Sequence, residues 1–533
     1  MKTSNYVIYV HVPETDEYYL VHGYSGAVDK VSPEVVQYML DHADPNHTWH
    51  TKDQEIVRET LRGRELGEPS AGALGTLKSR GYLTDMSSAE ERRYVERLTG
   101  FLHDKKVAGT PPGFMFIPTY ECNLRCPYCF ETETRVELGK LKVLQNVMFP
   151  EMVDAAYKCM DMLVAGRFPG RAEEKQRGGK ITLYGGEPLT LETLPIVEYI
   201  FEEGVKRGYN FSAITNGVDL HHFLHLLGPG KIDFLQITLD GPKEIHNRKR
   251  IGPRYKGGTY DRIVENIKLA LATGVHVSVR FHVDFNNIAR TKELADDLKR
   301  ENLHEHKNFT LYTYPIHMFH RGVETPTYPL MGLHHMHAEV GRMSKAFLAE
   351  QEAQAAASPE PKKRELKVLN VRMPDDGIRS KLKSYLGGQL AGLFGGGIEP
   401  CAATTGLYIF DPFWKIYSCW DNVGMAGHET GTYSPDGPVL NDMHHDWLSR
   451  SPATIEECKD CKYALFHFGG CASLPIGSKG TIFAPACYDF QDNFIHGARK
   501  FLRQGLDAAS QTPTMPAAMH EASTAFEAGM AGD

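Results

Sequence analysis

A strand-then-helix alternation, repeated six times between residues 113 and 354, most restricts the folds open to this chain. The predicted strands are rich in β-branched and aromatic residues and lie at Gly113–Tyr120, Lys180–Tyr184, Tyr209–Ile214, Asp233–Leu239, Val275–Val283 and Phe309–Tyr314. The helices predicted after them lie within Leu141–Ala165, Leu191–Arg207, Leu220–Leu227, Tyr260–Thr273, Thr291–Arg300 and His334–Gln354. Because parallel strands need a crossover that a helix usually supplies, this order predicts a parallel sheet with right-handed connections. As in (β/α)8 barrels, functional side chains are then expected at the carboxyl ends of the strands.

The composition is that of an ordinary globular protein. The chain has 533 residues, of which 41% are hydrophobic and 24% charged, and this length predicts about two to four domains. A net charge of -8 gives no support for nucleic-acid binding. No apolar run reaches the ~18 residues of a membrane helix, and the N-terminus turns polar too soon for a secretory signal, so a cytoplasmic location is expected. Ten cysteines in such a chain indicate metal binding more than disulfides.

Three cysteines follow the first predicted strand in one tight loop. Cys122, Cys126 and Cys129 have the spacing Cys-x3-Cys-x2-Cys. Three thiolates leave one iron of a four-iron cluster without a protein ligand, whereas electron-transfer clusters ordinarily take four cysteines. An open iron is a place to bind and activate a small molecule. Zinc is the alternative, although zinc sites usually pair cysteines as Cys-x2-Cys with a second pair further along the chain.

This spacing resembles the signature of the radical S-adenosylmethionine (SAM) enzymes. The resemblance implies an α/β fold with a partial (β/α)6 TIM-like barrel over residues 113–355. It also implies that Cys122, Cys126 and Cys129 hold a [4Fe-4S] cluster whose open iron is chelated by SAM. In the family, electron transfer then cleaves SAM to a 5′-deoxyadenosyl radical that abstracts hydrogen from a substrate. An electron donor such as flavodoxin or ferredoxin is therefore expected.

Further motifs fall at the predicted strand ends. Gly185-Gly186-Glu187-Pro188 follows the second strand, where glycines let the backbone approach a ligand and a carboxylate can receive an ammonium group. This run resembles the family motif that holds the SAM amino group. Thr215-Asn216-Gly217 follows the third strand, and the resemblance implies contacts from such polar groups to the ribose and carboxylate of SAM.

Two arginines are candidates for the SAM carboxylate. Arg250 ends the stretch His246–Arg250, in which Asn247 stands where the family usually has Asp. Arg280 lies on the fifth predicted strand, and either arginine could equally form a structural salt bridge. Tyr128, just before the third cysteine, matches the aromatic position that often packs on adenine.

A second group of cysteines lies near the C-terminus, at Cys401, Cys419, Cys458, Cys461, Cys471 and Cys487. The layout resembles the SPASM extension, which carries auxiliary iron–sulfur clusters in peptide- and protein-modifying radical SAM enzymes. The resemblance implies one cluster on Cys401, Cys419 and Cys471, and another on the remaining three. A single structural zinc in this region is the competing interpretation.

One position departs from the SPASM pattern. His467 stands where the family has a cysteine, and six thiolates cannot supply two four-cysteine clusters. His467 is a candidate iron ligand, as histidine is in Rieske centres. The alternatives are an open cluster site or fewer clusters.

The flanking segments complete the predicted organisation. Residues 1–105 are predicted to form a small domain that resembles the winged-helix module that binds leader peptides, with a structural cap as the alternative. Residues 356–398 are predicted to be a linker, 399–495 the SPASM-like domain, and 507–533 a disordered tail.

The function expected from these features is that of a radical SAM/SPASM maturase. Its partner would be a peptide or protein, such as a ribosomal peptide with a leader, and its product a cross-linked, epimerised or excised peptide. The runner-up is an anaerobic sulfatase-maturing enzyme, which forms formylglycine. A non-catalytic iron–sulfur or zinc scaffold is the alternative from another class.

Overall fold

The computed structural model describes residues 1–129, 131, 134, 139, 146–168, 179–284, 287, 290–315, 370–371, 401–487 and 490–503. They form two compact units, the first made of the described residues in 1–108, 401 and 449–503, the second of those in 109–371 and 402–448. The predicted helix His334–Gln354, the tail 507–533 and all but two residues of the linker 356–398 lie outside the described residues. No helix within the described part is both long and apolar enough to cross a membrane.

Five short strands open the first unit: β1 (Lys2–Thr3), β2 (Val7–Val12), β3 (Glu17–His22), β4 (Val28–Val31) and β5 (Leu83–Thr84). Between β4 and β5 lie the helices α1 (Pro33–Asp41), α2 (Lys52–Leu61) and α3 (Ala71–Ser79), and α4 (Ser88–Gly109) follows β5. Strands β2, β3 and β4 pair antiparallel in that order, while β1 pairs with β5. Helix α1 begins after Ser32 with a proline in its first turn, where a missing N–H costs nothing.

One eleven-stranded sheet organises the second unit. Its strands are β6 (Gly113–Phe116), β7 (Lys180–Leu183), β8 (Asn210–Thr215), β9 (Ile232–Leu239), β10 (His276–Val283), β11 (Phe309–Pro315), β12 (Asn370–Val371), β13 (Leu407–Phe410), β14 (Lys415–Tyr417), β15 (Gly431–Ser434) and β16 (Gly437–Leu440). Strands β6 to β12 pair in parallel in sequence order. The predicted parallel α/β core is therefore confirmed.

The sheet continues beyond β6 into the C-terminal part of the chain. Strand β13 pairs parallel with β6, and β14, β15 and β16 follow in antiparallel order. The sequence analysis did not predict these strands. The segment from β13 to β16 is therefore part of the same sheet as the barrel strands.

Helices cover the parallel strands, as α/β packing requires. They are α5 (Pro150–Arg167), α6 (Leu194–Lys206), α7 (Lys243–Lys249), α8 (Tyr260–Ala272) and α9 (Thr291–Arg300), with α10 (Ala402–Thr405) and α11 (Asp442–Ser449) further along the chain. Strand residues such as Ile181 and Ile237 share one buried apolar cluster with Val153, Val197 and Ile267 of the helices. This core holds the strands in register, so that their carboxyl ends meet at one edge.

The cysteine-rich C-terminus packs on the N-terminal sheet within the first unit. It contains α12 (Glu456–Lys459), α13 (Ala464–His467), α14 (Ser473–Lys479) and α15 (Phe490–Leu502). Side chains of β2 alternate between its two faces, so Ile8 packs with Phe466 and Phe494, while Tyr9 packs with Met39 of α1. Strand β2 is therefore buried on both faces, on one side by the C-terminal segment.

Candidate functional site

The three-cysteine loop follows β6, and backbone contacts fix its shape. Cys122 and Cys126 are buried, and Cys129 is half-buried. Within the loop, Cys129 N donates to Cys126 O at 3.1 Å. Arg125 N donates to Ile251 O at 2.7 Å, and the Arg125 guanidinium donates to Cys122 O. These bonds hold all three cysteines on one short turn.

Two N–H groups point at the sulfur of Cys122. Leu124 N lies 3.4 Å and Asn216 Nδ2 3.7 Å from Cys122 Sγ. Such donors stabilise a thiolate, and hydrogen bonds to sulfur tune iron–sulfur clusters. Three thiols on one turn thus suit the three-cysteine set of a four-iron cluster. Within the described residues, no three His, Cys, Asp or Glu side chains converge closely enough to hold a single metal ion.

The glycine pair after β7 packs directly on the cysteine loop. A Cβ atom on Gly186 would lie 2.2 Å from Tyr120 O and 2.4 Å from Glu121 O. Gly185 has φ +127°, and a Cβ there would lie 2.7 Å from Thr119 O. Only glycine fits such an approach of two backbones. The predicted Gly185-Gly186 motif therefore sits against the residues that lead into Cys122.

Glu187 is buried between two strand ends. Thr215 Oγ1 donates to its Oε1 at 2.6 Å, Leu189 N to the same oxygen at 3.0 Å, and Asn216 N to its Oε2 at 2.6 Å. Burial raises the pKa of Glu187 to about 7, although these hydrogen bonds oppose the shift. The structure thus brings Glu187 of one sequence motif together with Thr215 and Asn216 of another.

Tyr128, Asp240 and Arg250 form a buried polar network beside the cysteine loop. The Tyr128 hydroxyl donates to Asp240 Oδ2, and Arg250 Nη1 donates to the same hydroxyl at 2.9 Å. Arg250 Nη1 also lies 4.0 Å from Asp240 Oδ1. Burial raises the pKa of Asp240, and the charge of Arg250 opposes that shift. The predicted packing of Tyr128 on adenine stays a prediction, because the structure describes only this hydroxyl network.

Several buried polar atoms at the strand ends have no hydrogen-bond partner within the described part of the chain. They are Glu121 Oε2, Asp240 Oδ1, Arg250 Nε and Arg280 Nε. Another nitrogen of Arg280, Nη2, reaches Thr238 Oγ1 only at 3.5 Å. Buried polar groups in native proteins are almost always paired, and unpaired ones mark a missing ligand or water. Charges of both signs at this edge fit a zwitterionic ligand such as an amino acid.

Asp421 is a candidate that the sequence analysis missed. It stands two residues after Cys419, on a 3-10 turn at Trp420–Asn422. Burial raises the pKa of Asp421 to about 6, and Arg280 opposes the shift. Its charge also acts on Tyr184, at the end of β7. The segment after β14 therefore brings a carboxyl group near the strand-end site, and no spacing in the sequence revealed it.

Three cysteines of the first unit lie within electrostatic reach of one another. Burial raises the pKa of Cys461 to about 12, and Cys487 adds to the shift. Burial likewise raises the pKa of Cys458, with further contributions from Cys461 and Cys487. Thiols buried together stay protonated unless a cation binds them as thiolates. The predicted ligation of one cluster by Cys458, Cys461 and Cys487 stays a prediction.

His467 lies next to the loop of Cys471. A Cβ atom on Gly470 would stand 2.8 Å from His467 Nε2, and the imidazole packs on Phe490 with ring centroids 4.2 Å apart. Its predicted role as an iron ligand is untested by this geometry. The predicted cluster of Cys401, Cys419 and Cys471 also stays a prediction, because Cys419 belongs to the second unit and the other two to the first.

Comparison with known proteins identifies the part of the chain that holds this site. Residues 116–298 match the model of the Radical SAM superfamily. This segment is a radical SAM domain. The chain is therefore an enzyme with a radical SAM domain, a domain whose superfamily uses a [4Fe-4S] cluster and SAM, and the predicted resemblance is confirmed.

Curated relatives and solved structures match parts of the chain. The probable GTP 3′,8-cyclase of Methanococcus maripaludis is 27% identical over 158 residues, which are 30% of this chain and 44% of that protein. The structure of anSMEcpe with bound AdoMet and Cp18Cys peptide aligns with a TM-score of 0.52 at 18% identity, over 75% of this chain and 100% of that one. Streptococcus suis SuiB bound to precursor peptide SuiA aligns at 0.47 and 12%, over 91% and 98%. The anSMEcpe likeness shows a shared fold, whereas the SuiB likeness is too weak to establish one.

Proposed function

We propose that this chain is a radical SAM maturase that modifies a ribosomally made peptide. The observation that carries the proposal is the strand-end edge, where the three-cysteine loop meets buried charged groups of both signs with unpaired polar atoms. A domain that used its sheet only as a scaffold would have no need of such groups. A bound cluster and SAM would supply a radical that takes a hydrogen atom from the substrate.

Each residue of the edge has a separate task in this proposal. Cys122, Cys126 and Cys129 hold the cluster, and Glu187 receives the ammonium group of SAM through an oxygen already oriented by Asn216 N. Arg250 or Arg280 pairs with the SAM carboxylate through nitrogens that have no partner among the described residues. The result is a SAM molecule held in one orientation with its charges compensated.

A peptide is the proposed substrate class for two reasons. The cysteine-rich segment resembles extensions found in peptide- and protein-modifying enzymes, and anSMEcpe, which shares the fold, has been solved with a peptide. The fold of the first unit is consistent with this substrate, because β4 lies at one edge of its small sheet and, among the described residues, pairs on one side only. Edge strands of this kind are able to bind extended peptides.

Formylglycine formation on a sulfatase is the second candidate. Asp421 is the observation that favours it, because oxidation of a side chain must also remove a proton, and a carboxyl group with a pKa near 6 can accept one. The cross-link and epimerisation reactions of the first candidate need different proton transfers. The chemical identity of the product therefore distinguishes the peptide maturase from the sulfatase-maturing enzyme.

Reductive cleavage of SAM tests the enzymatic part of the proposal. The reconstituted protein should release 5′-deoxyadenosine under a strong reductant without oxygen, and Cys126→Ala should abolish that release. Cys159→Ala is the matched control, because Cys159 is a buried cysteine on α5 whose Sγ lies 3.9 Å from Ser434 O, outside the three-cysteine loop. Release that persists in Cys126→Ala would refute the proposal.

The substrate class is tested by mass. A short peptide encoded beside the gene is co-expressed anaerobically with the protein, in ordinary and in deuterated water. A loss of two hydrogens indicates a cross-link or an oxidation, and a gain of one deuteron without other change indicates epimerisation. An unmodified peptide in both solvents, with a sulfatase peptide modified instead, would favour the second candidate.

A further inference from the structure

Arg450 is a deeply buried arginine among the C-terminal cysteines of the first unit. Only 3% of the residue is exposed. Its guanidinium donates four hydrogen bonds, all to backbone carbonyls: Nε to Ile482 O at 2.8 Å, Nη1 to Gly470 O at 3.2 Å, and Nη2 to Gly469 O at 3.0 Å and Ala484 O at 3.1 Å. A planar guanidinium is well suited to hold several acceptors in one plane.

These carbonyls belong to the two loops that end in Cys471 and Cys487. The first loop is unusual, because Phe468, Gly469 and Gly470 all have left-handed backbones, with φ of +54°, +77° and +69°. For Phe468 this conformation is costly, and it persists only where neighbours enforce it. Arg450 supplies part of that constraint, since it binds the carbonyls of both glycines just before Cys471.

The charge of Arg450 has no carboxylate counter-ion in the part of the chain that the structure describes: no Asp or Glu oxygen forms an ion pair with it. Negative charge on the sulfurs of four cysteines favours the charged guanidinium instead, those of Cys458, Cys471, Cys401 and Cys487. Burial lowers the pKa of Arg450, and the charge of these cysteines opposes that shift. An unpaired buried cation is expensive, so this one calls for nearby negative charge.

We propose that Arg450 is the counter-cation and positioning residue for auxiliary iron–sulfur binding by the C-terminal cysteines, because it holds the loops that end in Cys471 and Cys487, one cysteine from each predicted cluster set. The inference rests on the proposed function, since it requires that the C-terminal cysteines bind iron. Thiolate-ligated clusters carry net negative charge that grows by one unit on reduction, and net charge and nearby hydrogen bonds set their potentials. A fixed cation beside the centre stabilises its reduced form most.

The test is a redox titration of the auxiliary centre in the full chain. Replacement of Cys122, Cys126 and Cys129 by alanine removes the signal of the SAM-binding cluster, and electron paramagnetic resonance then follows the remaining iron. In this background Arg450→Gln should lower the ratio of reduced to oxidised centre, at a fixed applied potential, on the order of tenfold. This magnitude corresponds to one charge about 10 Å away at an effective dielectric constant of about 20.

Two variants separate the charge from the fold. Arg450→Lys keeps the positive charge. Its ratio of reduced to oxidised centre should therefore fall less, relative to the parent protein, than the ratio of Arg450→Gln. Arg167→Gln is the matched control, because Arg167 also binds backbone carbonyls, Thr110 O and Thr405 O, yet no cysteine acts on its charge. Its ratio should not change.

The outcomes distinguish this inference from the proposed function. Iron-loaded Arg450→Gln with an unchanged titration, or Arg450→Lys with as large a fall as Arg450→Gln, would overturn the role of Arg450 alone. A parent protein that binds zinc or no iron would overturn the auxiliary centre and with it the role of Arg450, whereas the release of 5′-deoxyadenosine by the unmodified chain tests the proposed function separately. If Arg450→Gln is insoluble, Arg450→His replaces it, and its ratio should rise more steeply than that of the parent as pH falls from about 8 to about 5. A parallel pH dependence would overturn the inference.

Discussion

The buried ion pair between Lys462 and Asp53 offers a quantitative test of how the cysteine segment is attached to the N-terminal sheet. Lys462 Nζ lies 2.5 Å from Asp53 Oδ1 and 3.3 Å from Val7 O, and Tyr9 N donates to Asp53 Oδ2 at 2.8 Å. The two side chains are 1% and 0% exposed. Lys462 follows Cys461 directly, so the pair ties a candidate cluster ligand to α2 and β2.

Asp53→Ala should destabilise the first unit by about 4 kcal/mol. Removing one partner of a buried pair costs about 3–5 kcal/mol, because the remaining charge stays buried without compensation. The Tyr9 N–H also loses its acceptor, although the two losses do not simply add. The double variant Asp53→Leu with Lys462→Met should recover most of the loss, because replacing both charges by apolar groups is often close to neutral.

Denaturant unfolding of the full chain measures these changes as differences in the free energy of unfolding. The matched control is the pair Lys52–Asp492, which also joins N- and C-terminal segments but is 51% and 39% exposed. Asp492→Ala should cost less than about 1 kcal/mol. A cost below about 1 kcal/mol for Asp53→Ala, or a double variant less stable than either single one, would refute the reasoning.

Three further predictions concern the strand-end site and the cysteine loops. Burial raises the pKa of Glu187 to about 7, so its carboxylate forms as pH rises through about 6 to 8. The affinity for SAM, measured by equilibrium binding, should therefore rise over this pH range. In Glu187→Gln the affinity should depend less on pH. The same slope in both proteins would contradict this role. Gly186→Ala should lower iron content and SAM affinity together, since its Cβ would lie 2.2 Å from Tyr120 O. Gly166→Ala on α5, with nothing within 4 Å of its Cβ, is the steric control, and equal iron content in both variants would count against the packing. His467→Ala should lower the iron content or alter the paramagnetic spectrum of the reduced auxiliary centre, and an unchanged spectrum and iron count would remove His467 as a ligand.

The barrel strands could be predicted from the sequence because each lies in a run of apolar residues between breakers. Lys180–Tyr184 was predicted and Lys180–Leu183 is observed, and the fifth strand differs by one residue. The first strand ends at Phe116 rather than Tyr120, because Pro118 has no N–H to continue the ladder. The strands from β13 to β16 escaped prediction, since pairing with a strand almost 300 residues earlier leaves no local signal.

The residues of the site likewise include some that the sequence identifies and others that only the folded structure reveals. Residues within compact motifs, such as Glu187 and Asn216, could be selected because the chemistry and the spacing occur together in the chain. Asp421 and Arg450 could not, because their relevance lies in what surrounds them after folding: an opposing charge for Asp421 and four carbonyls for Arg450. Burial is what gives these side chains their altered electrostatics, and burial is a property of the packed chain.

The first unit is built from both ends of the polypeptide, and this has a consequence for biosynthesis. Ile8 and Val10 of β2 share a cluster with Phe466 and Phe494, so one apolar face of the N-terminal sheet stays uncovered during synthesis until the chain has been extended to Phe494. At about 5–20 residues per second, that delay lasts tens of seconds or more. During this time the nascent chain exposes an apolar surface to which chaperones would bind. A stop codon just before α13 would therefore yield an aggregation-prone product, however complete its barrel.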